Sequence, residues 1–273
     1  MSANQIKSFA DRLRNGPAAF AAWSGSVDPG NVESMLAEGF DCTILDWQHG
    51  FHDFASVRAL ITAAQAQNKG ALVRIGVGHF AEAARFLDWG ATGVIAPMIN
   101  SVEDAKLFAD TVKYPPLGSR SWGPVRSLGA SGLPPADYLK TANSFSLAIA
   151  MIETRAALDS LDAILDVEGI DGVLVGPSDL SIALTKGGTV DAGHPDVDAA
   201  LTKVVNAARK RGKLACAFCM DGARAGELGA RGFHLLSIGN DTILLRMASR
   251  SELAKARAAS GGEAANLDGA DGY

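Results

Sequence analysis

The sequence lacks the features of a secreted, membrane-spanning or nucleic-acid-binding protein. No run of about 18 apolar residues exists, so no segment is predicted to cross a bilayer. The first 16 residues contain no apolar core of signal-peptide length. The three cysteines, an odd number without a framework, indicate reduced thiols in a cytoplasmic protein. The formal net charge of -5 argues against a general nucleic-acid binder, which needs a basic face.

Several chemical motifs are also missing. No GxGxxG follows the first predicted strand, which argues against dinucleotide binding, and no GxxxxGK[ST] is present to form a nucleotide P-loop. No lysine lies on an apolar strand, where burial would lower its pKa and make it a Schiff-base nucleophile; Lys213 borders a predicted strand but belongs to a polar helix end. Cys216 and Cys219 form a CxxC within a strand pattern rather than at a helix start, so a redox motif is not predicted.

What the sequence does contain is a regular alternation of apolar strand-like runs with helix-period segments. The predicted strands are AFAAW (19–23), CTILD (42–46), ALVRI (71–75), GVIAP (93–97), SLAIAMIE (146–153), GVLVG (172–176), LACAF (214–218) and FHLLSI (233–238). Continuous apolar strands are typical of parallel sheets that are covered on both faces. Eight such βα units predict a closed (β/α)₈ barrel, with a doubly wound open sheet as the alternative.

We expect one domain over residues 1–259, followed by a flexible, Gly-rich tail at 260–273. The segment 113–135 interrupts the alternation and is rich in Gly, Pro, Ser and Arg. Loops of this length in a compact domain are usually functional or disordered, and the presence of Arg120, Arg126 and Trp122 favours function.

Candidate site residues follow from the predicted fold, because the active site of such a barrel lies at the carboxyl ends of its strands. The candidate residues at these ends are Trp23, Asp46, Gln48, His49, Arg74, Glu153, Gly176, Pro177, Ser178 and Asp179. Glu153 and Asp179 would repel each other unless a cation lay between them, and carboxylate oxygens suit Mg²⁺ or Mn²⁺. The alternative for each of these two acids is a helix cap.

The remaining strand-end groups suggest proton transfer and anion binding. His49 follows Asp46 by three residues, and this carboxylate could orient the imidazole as a general base. Arg74 lies in an apolar strand, where a guanidinium needs a carboxylate, phosphate or oxyanion partner; the structural alternative is an ion pair with Asp46 or Glu153. The helix predicted to start in VGPSDLSIAL directs backbone N–H groups to a position where a substrate carboxylate is favoured.

Over residues 18–250 these motifs resemble those of the HpcH/HpaI family of class II, metal-dependent 2-oxo-acid aldolases. The resemblance rests on LDWQHG (45–50), VRI (73–75), FLDWGATGVIAPMINS (86–101), KYPPLGSR (113–120), IETRAALDSLDAILDVEGIDGVLVGPSDLS (152–181) and IGNDTILL (238–245). The block at 152–181 is the most specific, since it combines an acid at one strand end with a second acid after the next.

The resemblance implies a function for each matching position. Glu153 and Asp179 would be the ligands of a divalent metal ion (Mg²⁺, Mn²⁺ or Co²⁺) that a 2-oxo acid chelates. The backbone at Ser178 and Asp179 would hold the substrate carboxylate, and Arg74 would stabilise the enolate oxygen. His49, oriented by Asp46, would act in proton transfer through a water.

The resemblance also implies an assembly. Asp88 would reach the site of a neighbouring subunit. The last helix of the barrel would be exchanged with a partner, and the protein would be a homo-hexamer, a trimer of dimers.

Three positions depart from the family pattern. Gln48 stands where many relatives have glutamate, Trp122 replaces a smaller stretch, and Phe218 lies where some relatives carry an aliphatic residue lining the aldehyde pocket. The last two changes indicate a shorter or more apolar acceptor aldehyde and leave the metal ligands and Arg74 untouched.

The sequence therefore predicts a carbon–carbon lyase that cleaves or forms 4-hydroxy-2-oxo acids from pyruvate, or hydroxypyruvate, and an aldehyde through a metal-stabilised enolate. Two alternatives stay open. One is a citrate-lyase-β-like lyase acting on acyl-CoA, whose phosphates Arg120 and Arg126 could bind. The other is a non-catalytic carboxylate-binding barrel, which only Gln48 favours.

Overall fold

The computed structural model describes the backbone of residues 3–260 and the side chains of residues 9–260. Its eight strands are β1 (Ala19–Ser24), β2 (Cys42–Asp46), β3 (Gly70–Arg74), β4 (Gly93–Ala96), β5 (Leu147–Ile152), β6 (Gly172–Val175), β7 (Leu214–Ala217) and β8 (Leu235–Ser237). They are parallel throughout and pair in sequence order, and β8 pairs with β1 to close the barrel. The predicted (β/α)₈ barrel is therefore confirmed. Of the predicted tail, all residues beyond 260 lie outside the described residues, and the domain boundary stays a prediction.

Helices surround the barrel and connect successive strands. They are α1 (Ala3–Asn15), α2 (Pro29–Ala37), α3 (Phe54–Ala66), α4 (Phe80–Asp88), α5 (Val102–Val112), α6 (Val125–Ser131), α7 (Pro135–Phe145), α8 (Arg155–Asp159), α9 (Leu161–Leu165), α10 (Pro177–Leu184), α11 (Pro195–Lys210), α12 (Gly222–Ala230) and α13 (Asp241–Ala259). No helix among the described residues is both long and apolar enough to cross a membrane.

Two apolar layers explain why the strands are almost continuously hydrophobic. Side chains alternate between the faces of a strand. In β5, Leu147, Ile149 and Met151 belong to the cluster that includes the barrel interior, whereas Ala148 and Ala150 belong to the cluster between strands and helices. Both faces are buried, so a parallel barrel shows no polar alternation.

The segment 113–135 differs from the long loop that its composition predicts. It contains α6, which ends at Gly132 in a left-handed conformation with φ of 69°. Arg126 on α6 donates to the Trp89 carbonyl (3.1 Å) and to Gln65 Oε1 (2.8 Å). These hydrogen bonds fasten the segment to the outside of the barrel.

The last helix is the least integrated element of the fold. None of the 19 residues of α13 is buried, and Leu245, Met247 and Leu253 are among the large apolar side chains exposed to solvent. Every other α-helix with described side chains and at least seven residues buries two or more residues against the barrel.

At the amino-terminal end of the barrel, a buried lysine ties several elements together. Lys113 is 1% exposed, and its Nζ donates to Asp171 Oδ2 (2.6 Å) and to the carbonyls of Asn143 (3.1 Å) and Ser146 (2.5 Å). Asp171 also accepts from Arg14 and from the backbone of Ala148. A buried charge needs such partners, so this network secures the starts of β5 and β6.

Replacing Lys113 with methionine should lower the free energy of unfolding by about 3 kcal/mol, because the carbonyls of Asn143 and Ser146 lose this donor and Asp171 loses its ion pair with the lysine. Urea denaturation measures the loss. Lys140→Met is the matched control; Lys140 is 77% exposed and its removal should change stability by less than about 0.5 kcal/mol. Equal effects in the two variants would contradict a structural role for the Lys113 network.

Candidate active site

A cavity of about 450 Å³ opens at the carboxyl ends of the strands. Nine of the residues predicted from the sequence line it, namely Trp23, Asp46, His49, Arg74, Gly176, Pro177, Ser178, Asp179 and Phe218. Residues that the sequence did not single out also line it, namely Gly25, Gly50, Phe51, Met151, Val190, Asn240, Asp241 and Thr242. The cavity thus gathers one rim of the barrel, as the fold predicts.

The ends of β2 and β3 carry an ion pair at the base of this cavity. Arg74 donates from Nε to Asp46 Oδ1 (2.9 Å) and from Nη2 to Asp46 Oδ2 (2.5 Å), and the side chains are 11% and 9% exposed. Trp23 donates its indole N–H to the same carboxylate (3.1 Å), and the guanidinium carbon lies 4.9 Å from the Trp23 ring centre. Asp46 and Arg74 are partners in the β2–β3 register, which places their side chains next to each other.

This pair is the structural alternative that the sequence left open for Arg74, and it determines the ionisation of Asp46. Burial opposes ionisation of Asp46, but the hydrogen bonds and the positive charge of Arg74 outweigh it and hold the pKa of this carboxyl below its usual value. Asp46 is therefore a carboxylate at neutral pH.

The contact between Asp46 and His49 differs from the predicted one. Asp46 Oδ1 accepts from the backbone N–H of His49 (3.1 Å), and the two oxygens of this carboxylate are otherwise occupied by Arg74 and Trp23. Among the described residues no hydrogen bond joins Asp46 to the His49 ring. His49 is exposed at the cavity wall, and the backbone rather than the ring is what Asp46 orients.

Glu153 lies behind the cavity wall, immediately after β5, and is 2% exposed. Its Oε1 accepts from the backbone N–H of Met98 (2.8 Å), and Met98 adopts a left-handed conformation with φ of 54°, which is unfavourable for a non-glycine residue. Gly176 leaves room for the other oxygen, because a Cβ at that position would lie 2.6 Å from Glu153 Oε2. The backbone on both sides therefore fixes this carboxylate.

Glu153 and Asp179 interact electrostatically, as their strand-end positions predict. Burial, together with the negative charge of Asp179, raises the pKa of Glu153 to about 6. Neither acid is the N-cap of the helix that follows it: Thr154 caps α8, and Gly176 precedes α10, in which Asp179 occupies the first turn.

This donor set fits a divalent cation with open coordination positions. A cation between the two carboxylates would remove the repulsion that raises the Glu153 pKa, and carboxylate oxygens are the ligands that hard cations prefer. The described residues contain no group of three or more His, Cys, Asp and Glu side chains that could hold a metal ion alone. Substrate and water oxygens would complete the coordination of a metal held by this pair.

Glu153 thus lies beside the nine lining residues, whereas Asp88, Trp122 and Gln48 do not line the cavity. Asp88 Oδ1 accepts from Arg120 Nη2 (2.6 Å), and burial raises the pKa of Asp88. Trp122 is 48% exposed and packs on Tyr114, with ring centres 5.5 Å apart. Asp88, Arg120 and Trp122 lie near the end of α4, away from the lining of this cavity.

Gln48 is half-buried, and its Oε1 atom is buried without a hydrogen-bond partner among the described side chains and backbone. His52 is buried, and its Nε2 lies 2.9 Å from the Ser24 carbonyl oxygen.

Asp241 is the charged residue of the cavity that the sequence reasoning missed. Its carboxylate accepts from the backbone N–H groups of Gly25, Ser26 and Thr242 and from the Ser24 hydroxyl. It thereby fastens the start of α13 to the loop after β1. Its position directly after β8, in IGND, is the signal that could have identified it.

Comparison with known proteins agrees with this geometry. The sequence model of the HpcH/HpaI aldolase/citrate lyase family matches residues 20–248. A hydroxypyruvate/pyruvate aldolase of Rhizorhabdus wittichii is 35% identical over 243 residues, which cover 89% of this chain and 96% of the relative. A 2-keto-3-deoxy-L-rhamnonate aldolase of Salmonella gallinarum is 32% identical and covers 93% of this chain and 94% of its own length. The crystal structure of an HpcH/HpaI aldolase from Desulfitobacterium hafniense superposes with a TM-score of 0.84 at 28% identity, covering 90% and 95% of the two chains.

The Asp46–Arg74 pair should contribute to stability as well as to the site. Asp46→Asn leaves a buried guanidinium without its countercharge, so we expect a loss of about 3 kcal/mol in the free energy of unfolding at pH 7. Because the pKa of Asp46 is lowered by folding, this advantage of the wild type should be complete above about pH 4 and shrink as the pH falls further.

Urea denaturation between pH 3 and pH 8 checks this expectation. Asp159→Asn, at an exposed position, is the matched control. A difference between wild type and Asp46→Asn that does not change with pH would contradict the ionised pair.

Proposed function

This chain belongs to the HpcH/HpaI aldolase/citrate lyase family and is a carbon–carbon lyase of the class II aldolase type, as its sequence predicts, and we propose that it joins pyruvate or hydroxypyruvate reversibly to an aldehyde. The donor names come from the hydroxypyruvate/pyruvate aldolases to which it is similar. The observation that supports the proposal best is the convergence of Arg74, Glu153 and Asp179 at one end of the barrel.

We assign the divalent metal, which is Mg²⁺, Mn²⁺ or Co²⁺, to Glu153 and Asp179. When bound, the metal supplies a Lewis acid that draws electron density from the carbonyl of a 2-oxo acid. Glu153 is suited to this task because Met98 binds one of its oxygens, Oε1, and Gly176 leaves room beside the other, Oε2.

Arg74 supplies the positive charge for the donor. When the methyl group of pyruvate loses a proton, negative charge develops on the ketone oxygen, and a fixed guanidinium stabilises that charge without reorganisation. Two of its nitrogens bind Asp46, and Arg74 makes no other hydrogen bond among the described residues. Nη1 is therefore the nitrogen that we assign to the substrate.

The start of α10 is the proposed position of the substrate carboxylate. The first N–H groups of a helix have no partner within the helix and favour an anion. Gly176 and Pro177 place Ser178 and Asp179 at this end, where they line the cavity. Pro177 has no N–H to offer, so the N–H groups of Ser178 and Asp179 would bind the carboxylate.

His49 is the proposed proton carrier at the aldehyde oxygen. Its side chain is exposed in the cavity wall, and its backbone is held by Asp46, so the imidazole has room to act through a water. We assign Asp46 an indirect role: it holds Arg74, Trp23 and the His49 backbone in place and does not touch the substrate.

The assembly is part of the same proposal. An isolated α13 with no buried residue and three exposed apolar side chains is what a helix exchanged between subunits would show. Asp88 and Trp122 lie outside the cavity of their own chain, which is compatible with a contribution to a neighbour's site in a homo-hexamer, a trimer of dimers. Three buried, unpaired cysteines are consistent with a cytoplasmic location.

The geometry does not favour the acyl-CoA alternative. That reading needs Arg120 and Arg126 to bind phosphates, but the first is buried and paired with Asp88 and the second is held by Gln65 and Trp89. The non-catalytic alternative depended on Gln48, which does not line the cavity.

Removing the metal or its ligand tests the proposal. Condensation of pyruvate with an aldehyde should be lost in EDTA and restored by Mg²⁺ or Mn²⁺, and Glu153→Gln should lower kcat/KM at least about 100-fold because one anionic ligand is gone. Calorimetry should show weaker Mn²⁺ binding by the same variant. Glu168→Gln, at an exposed position, should behave as the wild type.

Full activity after thorough metal removal would contradict the metal assignment. Borohydride reduction in the presence of pyruvate should leave no covalent adduct, and a trapped adduct would indicate a lysine enzyme instead.

Light scattering tests the assembly. The wild type should have a mass near six times 28.3 kDa, and Leu245→Lys on α13 should shift it to smaller species, because a charge cannot be buried cheaply in an apolar contact. Leu107→Lys, on the exposed side of α5, is the control. A monomeric wild type at micromolar concentration would refute helix exchange.

A further inference from the structure

We propose that the acceptor is an uncharged aldehyde with an apolar, preferably aromatic, substituent. This inference rests on the proposed function and names the partner that pyruvate meets in the same cavity. Two independent properties of the described lining residues support it: the sign of their charge and the position of their apolar side chains.

The charge of the cavity disfavours an acceptor that carries a second carboxylate or a phosphate. Asp46, Asp179 and Asp241 line the cavity, and Arg74 is the only permanent cation among its described lining residues. Arg74 is already paired with Asp46 and is needed by the donor. An anionic substituent would therefore lose its hydration without gaining a countercharge from these lining side chains.

Asp241 reinforces this selectivity at the start of α13. Although burial opposes its ionisation, hydrogen bonds from Ser26, Gly25 and Thr242 hold the pKa of Asp241 below its usual value. Its carboxylate therefore stays ionised. It repels a negatively charged substituent on the aldehyde.

Part of the inner wall of the cavity is apolar. The rings of Trp23 and Phe218 meet edge to face with their centres 5.1 Å apart, and Met151 is buried beside them in the same cluster. Aromatic rings favour this edge-to-face arrangement with a further ring at a similar distance. A phenyl substituent on the aldehyde could pack in the same manner.

Two apolar side chains at the outer edge of the cavity are exposed to solvent. Phe51 is 84% exposed and Val190 is 68% exposed, and both line the cavity from separate loops. Single exposed apolar residues need no explanation, but two that face one cavity form a surface that an apolar ligand can cover. Covering them gives free energy that a polar acceptor cannot gain.

Backbone hydrogen bonds hold the loop that carries Phe51 at this edge of the cavity. Phe51 donates its N–H to the Gly25 carbonyl (2.9 Å), and Gly50 donates to the Asp46 carbonyl (2.9 Å). A Cβ on Gly50 would lie 2.4 Å from that oxygen and 2.9 Å from the Gly25 Cα, so only glycine permits the crossing. Phe51 is therefore fixed relative to the base of the site.

The reaction needs no further reagent. The methyl carbon of pyruvate gives up one proton, and the electron pair left behind forms the bond to the aldehyde carbon. The aldehyde oxygen takes up a proton and becomes the 4-hydroxyl group. Nothing is oxidised or reduced, and the volume of about 450 Å³ is within the range of about 300–1,000 Å³ that small-molecule sites occupy.

A panel of acceptors tests the inference on the metal-loaded protein. With pyruvate, kcat/KM for benzaldehyde should exceed that for glycolaldehyde at least about tenfold, and succinic semialdehyde, which carries a carboxylate, should be the poorest of the three. A preference for succinic semialdehyde would overturn the inference, because it would require a cation at the acceptor side.

Aldehydes differ in intrinsic reactivity, and comparing variants with the wild type on the same aldehydes cancels this difference. Phe51→Ser and Val190→Ser should each lower the benzaldehyde-to-glycolaldehyde ratio of kcat/KM, the first about tenfold. Leu107→Ser, an exposed apolar position outside the cavity, should leave the ratio unchanged. Unchanged ratios in both cavity variants, or equal losses for all acceptors, would overturn the inference.

Deuterium exchange separates this inference from the function on which it rests. In D₂O without any aldehyde, the wild type with Mg²⁺ should exchange the methyl protons of pyruvate, which NMR detects. Exchange combined with a preference for glycolaldehyde overturns the acceptor class alone. The absence of both exchange and condensation overturns the proposed function together with the acceptor.

Discussion

The ion pair between Asp46 and Arg74 is the interaction around which the rim of the barrel is organised. It joins neighbouring strand ends in register, so the barrel closure that brings β2 beside β3 also brings the two charges together. A guanidinium in this position is costly without a countercharge, and Asp46 is costly without its donors. The indole N–H of Trp23 and the backbone N–H of His49 also donate hydrogen bonds to this carboxylate. One carboxylate thus binds the His49 backbone, the Arg74 guanidinium and the Trp23 indole at once.

A second constraint acts on the opposite side of the cavity. Glu153 accepts a hydrogen bond from Met98, whose backbone is left-handed, and only a glycine at position 176 leaves room for its second oxygen. Strain of this kind costs about 1–3 kcal/mol and persists only where the surrounding structure enforces it. Burial, together with the negative charge of nearby Asp179, raises the pKa of Glu153 to about 6. The repulsion that the fold tolerates here is what a bound cation would relieve.

The sequence could predict whatever depends on strand ends and periodicity. Eight apolar runs specified the barrel, and their polar ends specified Asp46, Arg74, Glu153 and Asp179, because all parallel strands finish at one rim. It could not predict which partner each side chain chooses. From the sequence, Asp46 could bind either the His49 ring or Arg74. The register of β2 with β3 places it beside Arg74.

Long-range contacts set the remaining limits. Asp241 is 216 positions from Gly25 along the chain, and no local pattern shows that its carboxylate will accept from that backbone. Nothing in the sequence marks Phe51 as a site residue. Only the fold shows that Phe51 and Val190 line the same cavity. α6 was missed because the Gly- and Ser-rich segment VRSLGAS has weak helix propensity, and the Arg126 contacts that secure it join residues 37 and 61 positions apart.

The two halves of the cavity differ in how easily evolution can change them. At the base, Arg74, Trp23 and the His49 backbone all donate hydrogen bonds to the Asp46 carboxylate. A substitution at Asp46 therefore disturbs all three together. At the outer edge, Phe51 and Val190 contribute exposed side chains from loops, and their replacement disturbs no hydrogen bond of the base. Substitutions at the outer edge of such a cavity would therefore change which acceptor fits and leave the hydrogen bonds of the base intact.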